Sequence, residues 1–317
     1  VYVVLTVFMS ITSYYIVERP YRYRKFKFCK EQFVLIFIAY AAVASVLIGF
    51  QWAIKPALYL GPSEANEVQF LRKDKCHLPG KNGLSTCLRQ SGTSKSLFLI
   101  GDSHAGNYSI ALNSVGEKYG AKFQLLTGRA LWKSLAGRCE ESSNCQEGTF
   151  QQHAIRLKSV AKPGDIVLVS FAMDRFFGAE FNHRIFIDNF SDFLRNLKES
   201  KLNVILIEDI PKVCNNSLEY FQSLFDSDRC NISVQQSRFK RKKLTQIYNK
   251  MAVIHQLRIL DPHDLLCDLK KDEKAQCSNM LKGKLIYLDK SPHLTFSASL
   301  SLDGFFDETL REYLTLP

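Results

Sequence analysis

The chain has 317 residues, 46% of them hydrophobic and 23% charged, with 42 Lys and Arg against 31 Asp and Glu and a formal net charge of +11. That is enough sequence to bury one large core or two smaller ones, and it is too apolar for a disordered polyelectrolyte. Part of the basic excess lies in one short loop, and the chain shows no aromatic–basic recognition motif, so no nucleic-acid partner is expected.

The chain opens on Val1 rather than Met, so it is expected to be a piece of something longer. Residues 1–17, VYVVLTVFMSITSYYIV, are nearly all apolar and read as the end of a transmembrane helix. They lack the basic start and small-residue cleavage site of a signal peptide. Residues 18–32 carry Arg19, Arg22, Arg24, Lys25, Lys27 and Lys30. Residues 33–54, FVLIFIAYAAVASVLIGFQWAI, contain no charge. At roughly 1.5 Å per residue such a helix matches a bilayer core of about 30 Å. Because basic loops stay cytoplasmic, 18–32 is expected inside, and everything beyond about residue 55 outside.

The cysteines give an independent test of that topology. Cys29 stands alone in the basic loop, and the other eight follow the predicted span. By sequence they group as neighbours: Cys76 with Cys87, Cys139 with Cys145, Cys214 with Cys230, and Cys267 with Cys277. Disulfides belong to oxidising compartments, and an even set outside with a single thiol inside suits the charge rule. Sequence does not fix their connectivity, and neighbour pairing is the expectation. The spacings lack paired Cys-x-x-Cys, so no metal site is expected.

Residues 55–95, rich in turn residues such as GPSEANE and LPGKNG, read as a lead-in. From Ser96 apolar runs alternate with helical periods. Strands are predicted at 96–101, 123–128, 165–172, 203–210 and 257–262. Helices are predicted at 104–119, 151–160, 181–200 and 234–256, with another towards Leu314. No internal repeat is evident. Alternation of this kind implies βαβ units, hence a flavodoxin-like, doubly wound parallel sheet of about five strands over 96–317. The run Arg238 to Lys243 reads as a solvated helix face, with anionic glycan or lipid head groups as its alternative ligands.

The stretch FLIGDSHAGN places Ser103 at a strand-to-helix turn. That is the edge of an open sheet where ligands bind, beside a helix N-terminus able to hold negative charge. A simple helix cap is the competing role for the serine. A nucleophilic serine needs a base, and the base an orienting acid. Of the seven histidines, His293 has the best claim, with Asp289 four residues upstream; His263, in DPHD, has some claim. His104 reads as a local structural residue.

The Gly-Asp-Ser-His block, followed near the C-terminus by Asp289-Lys-Ser-Pro-His293-Leu-Thr, resembles the SGNH hydrolase superfamily. The resemblance implies Ser103 as nucleophile, His293 as base and Asp289 as acid. The family's usual Asp-x-x-His is one residue shorter, and Lys290 occupies its acid position. Gly128, ending FQLLTG, is the oxyanion-hole glycine that the resemblance implies. The third block is not recognisable in SFAMDRFF, where Arg175 could substitute as a donor or instead pair with Asp174. Ser13-Tyr-Tyr-Ile-Val-Glu18-Arg-Pro20 resembles the end of the last core helix of acyltransferase family 3 membrane proteins. Some of these carry an extra span and then a periplasmic SGNH domain, the order seen here.

The combined resemblance implies an O-acyltransferase, O-acetyl above all, of the bacterial inner membrane. Its outer domain in the periplasm would modify a surface glycan such as lipopolysaccharide O-antigen, or a lipid-linked oligosaccharide. Acetyl-CoA would supply the acyl group to the membrane portion, with no cofactor bound by residues 1–317. The alternatives are a carbohydrate esterase with the same triad, and a glycan-binding module with a degenerate site.

Overall fold

In a computed structural model the chain divides into two compact units, Val1–Tyr59 and Leu60–Pro317. The structure describes residues 10–11, 14–22, 45, 94–127, 150–172, 183–216, 219–220, 223, 227–269, 275–281, 284–288 and 293–315. The predicted spans 1–17 and 33–54 fall largely or almost wholly outside these residues, as do most of the basic loop and the lead-in. Among the described residues no helix is long and apolar enough to cross a membrane. In the first unit one wide turn, Tyr14–Glu18, runs into a short helix, Arg19–Arg22.

The second unit is built on five strands: β1 (Ser96–Gly101), β2 (Lys122–Thr127), β3 (Ile166–Ser170), β4 (Asn203–Ile207) and β5 (Arg258–Leu260). They pair in the order β2-β1-β3-β4-β5, every pairing parallel. This is the doubly wound order expected from the alternating pattern. The helices that follow are α1 (Ser109–Lys118), α2 (Phe150–Val160), α3 (His183–Glu199), α4 (Val234–His255), α5 (Phe296–Leu300) and α6 (Asp303–Thr315).

Strand alternation sorts the core into two layers. Leu97 and Leu99 of β1, with Ile166, Leu168, Ile205 and Ile207, pack with Leu112 and Val115 of α1 and with Phe306 and Leu310 of α6. Phe98 and Ile100, with Val167, Val169, Val204 and Leu206, pack on Phe186, Phe190 and Phe193 of α3 and on Leu244 and Tyr248 of α4. Both faces of β1 and β3 are thus covered, which is why these strands read as unbroken apolar runs.

Element ends differ by a few residues from the predicted ones. β3 and β4 stop at Ser170 and Ile207, because the residues beyond turn out of the ladder to build the sheet edge. The predicted helix at 104–119 begins as a 3-10 turn, Ala105–Tyr108, before α1. Among the described residues before His293 no further strand joins this sheet; they form a two-residue ribbon, Met280–Leu281 with Lys284–Leu285, and a bridge from Tyr287 to Leu294. The basic run in α4 is not wholly solvated either: Arg241 is buried, because helical periodicity turns it towards acids at the sheet edge.

Two expected disulfides, Cys214–Cys230 and Cys267–Cys277, are formed. Cys29, Cys76, Cys87, Cys139 and Cys145 lie outside the described residues.

Candidate active site

Ser103 occupies the turn that leaves β1 at the carboxyl edge of the sheet. Its neighbours fix that turn. Gly101 lies against β3 so closely that an added Cβ would come 1.8 Å from the Ser170 carbonyl oxygen. Only a hydrogen fits there, a physical reason for glycine at this position. Asp102 is buried and ties the turn down twice: Oδ1 accepts from the His104 backbone N–H and Oδ2 from the Ala172 N–H, both at 2.9 Å. Burial raises the Asp102 carboxyl above its usual range, with His104 opposing the rise. Asp102 and His104 are both 1% exposed, whereas Ser103 between them is partly exposed. No side-chain cap bond forms at His104, which leads the 3-10 turn, or at Tyr108, which leads α1.

His293 arrives from the loop before α5, and the 3-10 turn positions it. The Asn107 side-chain oxygen accepts from the Leu294 N–H at 2.9 Å. The Asn107 carbonyl accepts from the Ser299 hydroxyl in α5. The His293 carbonyl accepts from the Leu288 N–H at 2.6 Å. The His293 ring then packs edge-to-face with that of His104, their centroids 5.3 Å apart. The structure therefore brings the two predicted blocks together: the loop of His293 is bonded to the turn that carries Ser103. Asp289, Gly128, Asp174 and Arg175 lie outside the described residues.

Residues absent from the sequence-based assignment complete the edge. His104 pairs through Nδ1 with Asp209, 2.9 Å from Oδ1 and 3.1 Å from Oδ2. Asp209 follows β4, and its Oδ1 also accepts from the Ile210 N–H. Beside it, buried Glu208 meets Arg241 at 3.0 Å and accepts from the Thr245 hydroxyl. Burial raises the Glu208 carboxyl, with Arg241 opposing. Arg241 also donates to Asp261 beyond β5, at 2.7 Å. One cation from α4 thus joins the ends of two strands. The available signal was two acids closing the apolar run NVILIEDI, at the strand end where α/β sheets place ligands.

His263 is fully buried elsewhere. Its Nδ1 lies 2.9 Å from Asp264 Oδ1, and its Nε2 lies 2.9 Å from the Ser237 hydroxyl. The Cys267–Cys277 sulfurs lie beside the ring, at 3.9 and 4.0 Å. The three side chains could gather a metal only with both thiols free, and here they are joined.

A doubly wound sheet with a serine turn after its first strand and a histidine from the loop before its last helices defines an SGNH-type domain. The SGNH domain family whose members are fused to AT3 domains matches residues 75–308, and the chain belongs to that family. Residues 1–74 lie outside that match. Among solved structures, the fold resembles the periplasmic domain of a lipopolysaccharide acetyltransferase from Salmonella ser. Paratyphi A. The identity is 16%, covering 79% of this chain and 97% of that one, with a TM-score of 0.55. An acetylxylan esterase from Geobacillus stearothermophilus matches at 12% identity over 72% of this chain and 98% of its own, TM-score 0.43. The esterase EstA from Pseudoalteromonas sp. matches at 10% identity, over 70% and 100%, TM-score 0.43. A search of curated proteins returns no match.

Proposed function

We propose that this chain is the acceptor-side part of a glycan O-acyltransferase, acetyl being the favoured acyl group, with Ser103 as nucleophile and His293 as base. The observation that carries this reading is the bond from Leu294 to Asn107, which fastens the loop of His293 to the turn of a partly exposed Ser103.

In the first half-reaction the Ser103 oxygen attacks the acyl carbonyl of the donor. His293 takes the hydroxyl proton and passes it to the leaving group as the donor bond breaks. In the second, a sugar hydroxyl attacks the acyl-serine, its proton goes to His293, and Ser103 recovers a proton as the ester moves to the glycan. Asp289 orients the imidazole. The amides of Gly128 and Ser103 hold the oxyanion, where losing one donor typically costs about 10²–10³ in rate. Acetyl-CoA is the source of the acyl group, handled by an acyltransferase membrane domain in the inner membrane, with this domain in the periplasm. The family's fusion to AT3 domains supports that division of labour, and the likeness to the periplasmic domain of a Salmonella lipopolysaccharide acetyltransferase supports a lipopolysaccharide O-antigen or similar surface glycan as acceptor. Water as acceptor would make the same site a carbohydrate esterase.

The test uses the full chain, oxidised, in detergent, with p-nitrophenyl acetate and intact-mass analysis. One acetyl on Ser103, absent from Ser103→Ala and His293→Ala, is expected. Adding an acceptor oligosaccharide should then convert acetate release into acetyl-sugar. No adduct on folded protein would overturn the catalytic reading in favour of glycan binding alone.

A further inference from the structure

Two things hold the backbone of His293, the bond from Leu288 and the bond from Leu294 to Asn107. Neither fixes the plane of the imidazole, since both act on main chain and leave the side-chain torsions open. A general base must present one ring nitrogen to the serine within narrow limits, and a misplacement of about 1 Å can cost about 100-fold in rate. The ring of His104 packs edge-to-face against that of His293, centroids 5.3 Å apart, and so limits its rotation beside the orienting role proposed for Asp289.

His104 is itself held unusually firmly. Its backbone N–H is bound by Asp102, its Nδ1 faces both oxygens of Asp209, and its ring is buried. Asp209 is in turn fixed by the Ile210 N–H. A buried ionisable pair of this kind is a poor device for stability alone, because well-packed apolar side chains of the same volume do as well or better. Its place, directly behind the proposed base and one residue from the proposed nucleophile, suits a different task.

We infer that His104, clamped by Asp209, is a positioning residue that sets the ring plane of His293. This rests on the reading of Ser103 and His293 as nucleophile and base. The order of command runs from the end of β4, through Asp209 and His104, to a loop nearly two hundred residues away in sequence from the serine turn. Both halves of His104 are needed: the nitrogen that Asp209 holds and the ring that His293 leans on.

Two substitutions separate those halves. In His104→Asn the amide nitrogen takes the place of Nδ1, keeping the bond to Asp209 while removing the ring. In His104→Phe a ring remains without the clamp. The full chain in detergent is acylated by p-nitrophenyl acetate, and the acylation rate constant and KM are read separately. Both variants should acylate about tenfold or more slowly with KM little changed. A purely structural role predicts that His104→Asn, with Asp209 still partnered, acylates within about twofold of the parent, and that result would overturn the inference. A second readout needs neither activity nor a variant: selectively labelled histidine should show ring-to-ring contacts between His104 and His293 by NMR. Their absence from the parent protein also overturns it. If Ser103→Ala acylates like the parent while those contacts are present, the nucleophile assignment has failed and the packing has not.

Discussion

Two serine–histidine–acid groups among the described residues make a useful comparison. At one, Ser237, His263 and Asp264 form a continuous hydrogen-bonded chain with both contacts at 2.9 Å. At the other, Ser103 shares its turn with His104, which is bound to Asp209 and packs against the ring of His293, whose neighbour Leu294 is bonded to Asn107. The first has the more complete connectivity and the poorer prospects. Ser237 is 3% exposed and lies inside α4, and His263 is 0% exposed behind a disulfide. The second has a partly exposed serine at the carboxyl edge of the sheet. Connectivity alone does not make a nucleophile; access and placement at the ligand-binding edge do.

The sharpest way to break this comparison is to delete each serine. Ser103→Ala should lower acylation by about 10⁴-fold or more, followed by intact mass, with thermal stability little changed. Ser237→Ala should leave acylation in place and cost about 1–2 kcal/mol of stability by urea denaturation, because it removes a partner from a buried imidazole. Full acylation in Ser103→Ala together with loss in Ser237→Ala would invert the assignment.

A second test strikes the framework of the edge. Arg241→Met leaves Glu208 buried without its cation and should destabilise the domain by about 3–5 kcal/mol in the same urea assay. Gly101→Ala forces a methyl into the Ser170 carbonyl and should cost about 3 kcal/mol or more, with acylation falling alongside.

The smallest effect is the pH response of the buried chain. Burial lowers the His263 pKa below the ordinary value, and Arg241 adds to it. The unfolded chain therefore binds a proton that the folded state resists. Stability should fall as the pH drops through about 6.5, and His263→Gln should flatten that dependence in urea titrations above and below this value.

Much of the sheet was legible because both faces of its central strands are buried. Runs such as SLFLIG and DIVLVSFA announce such strands without any knowledge of their neighbours. The ends were less legible, since where a strand leaves the ladder depends on its partner: Glu208 and Asp209 read as strand but form the edge. The serine and His293 could be picked out from their motifs. His104 could not, for its role comes from Asp209, 105 positions further along. The same holds for Arg241, which reads as one basic residue in RFKRKK and differs from its neighbours only in facing Glu208 and Asp261.

The sequence by itself determined the order of strands and helices and the serine turn, because each depends on short-range periodicity or on residue chemistry close in the chain; the two disulfides were an expectation of neighbour pairing that the structure then showed. Only the tertiary structure decided which acids stand behind which histidines and which serine is accessible. Those are contacts between strand ends and loops distant in sequence, and the parallel crossovers bring them to one edge of the sheet.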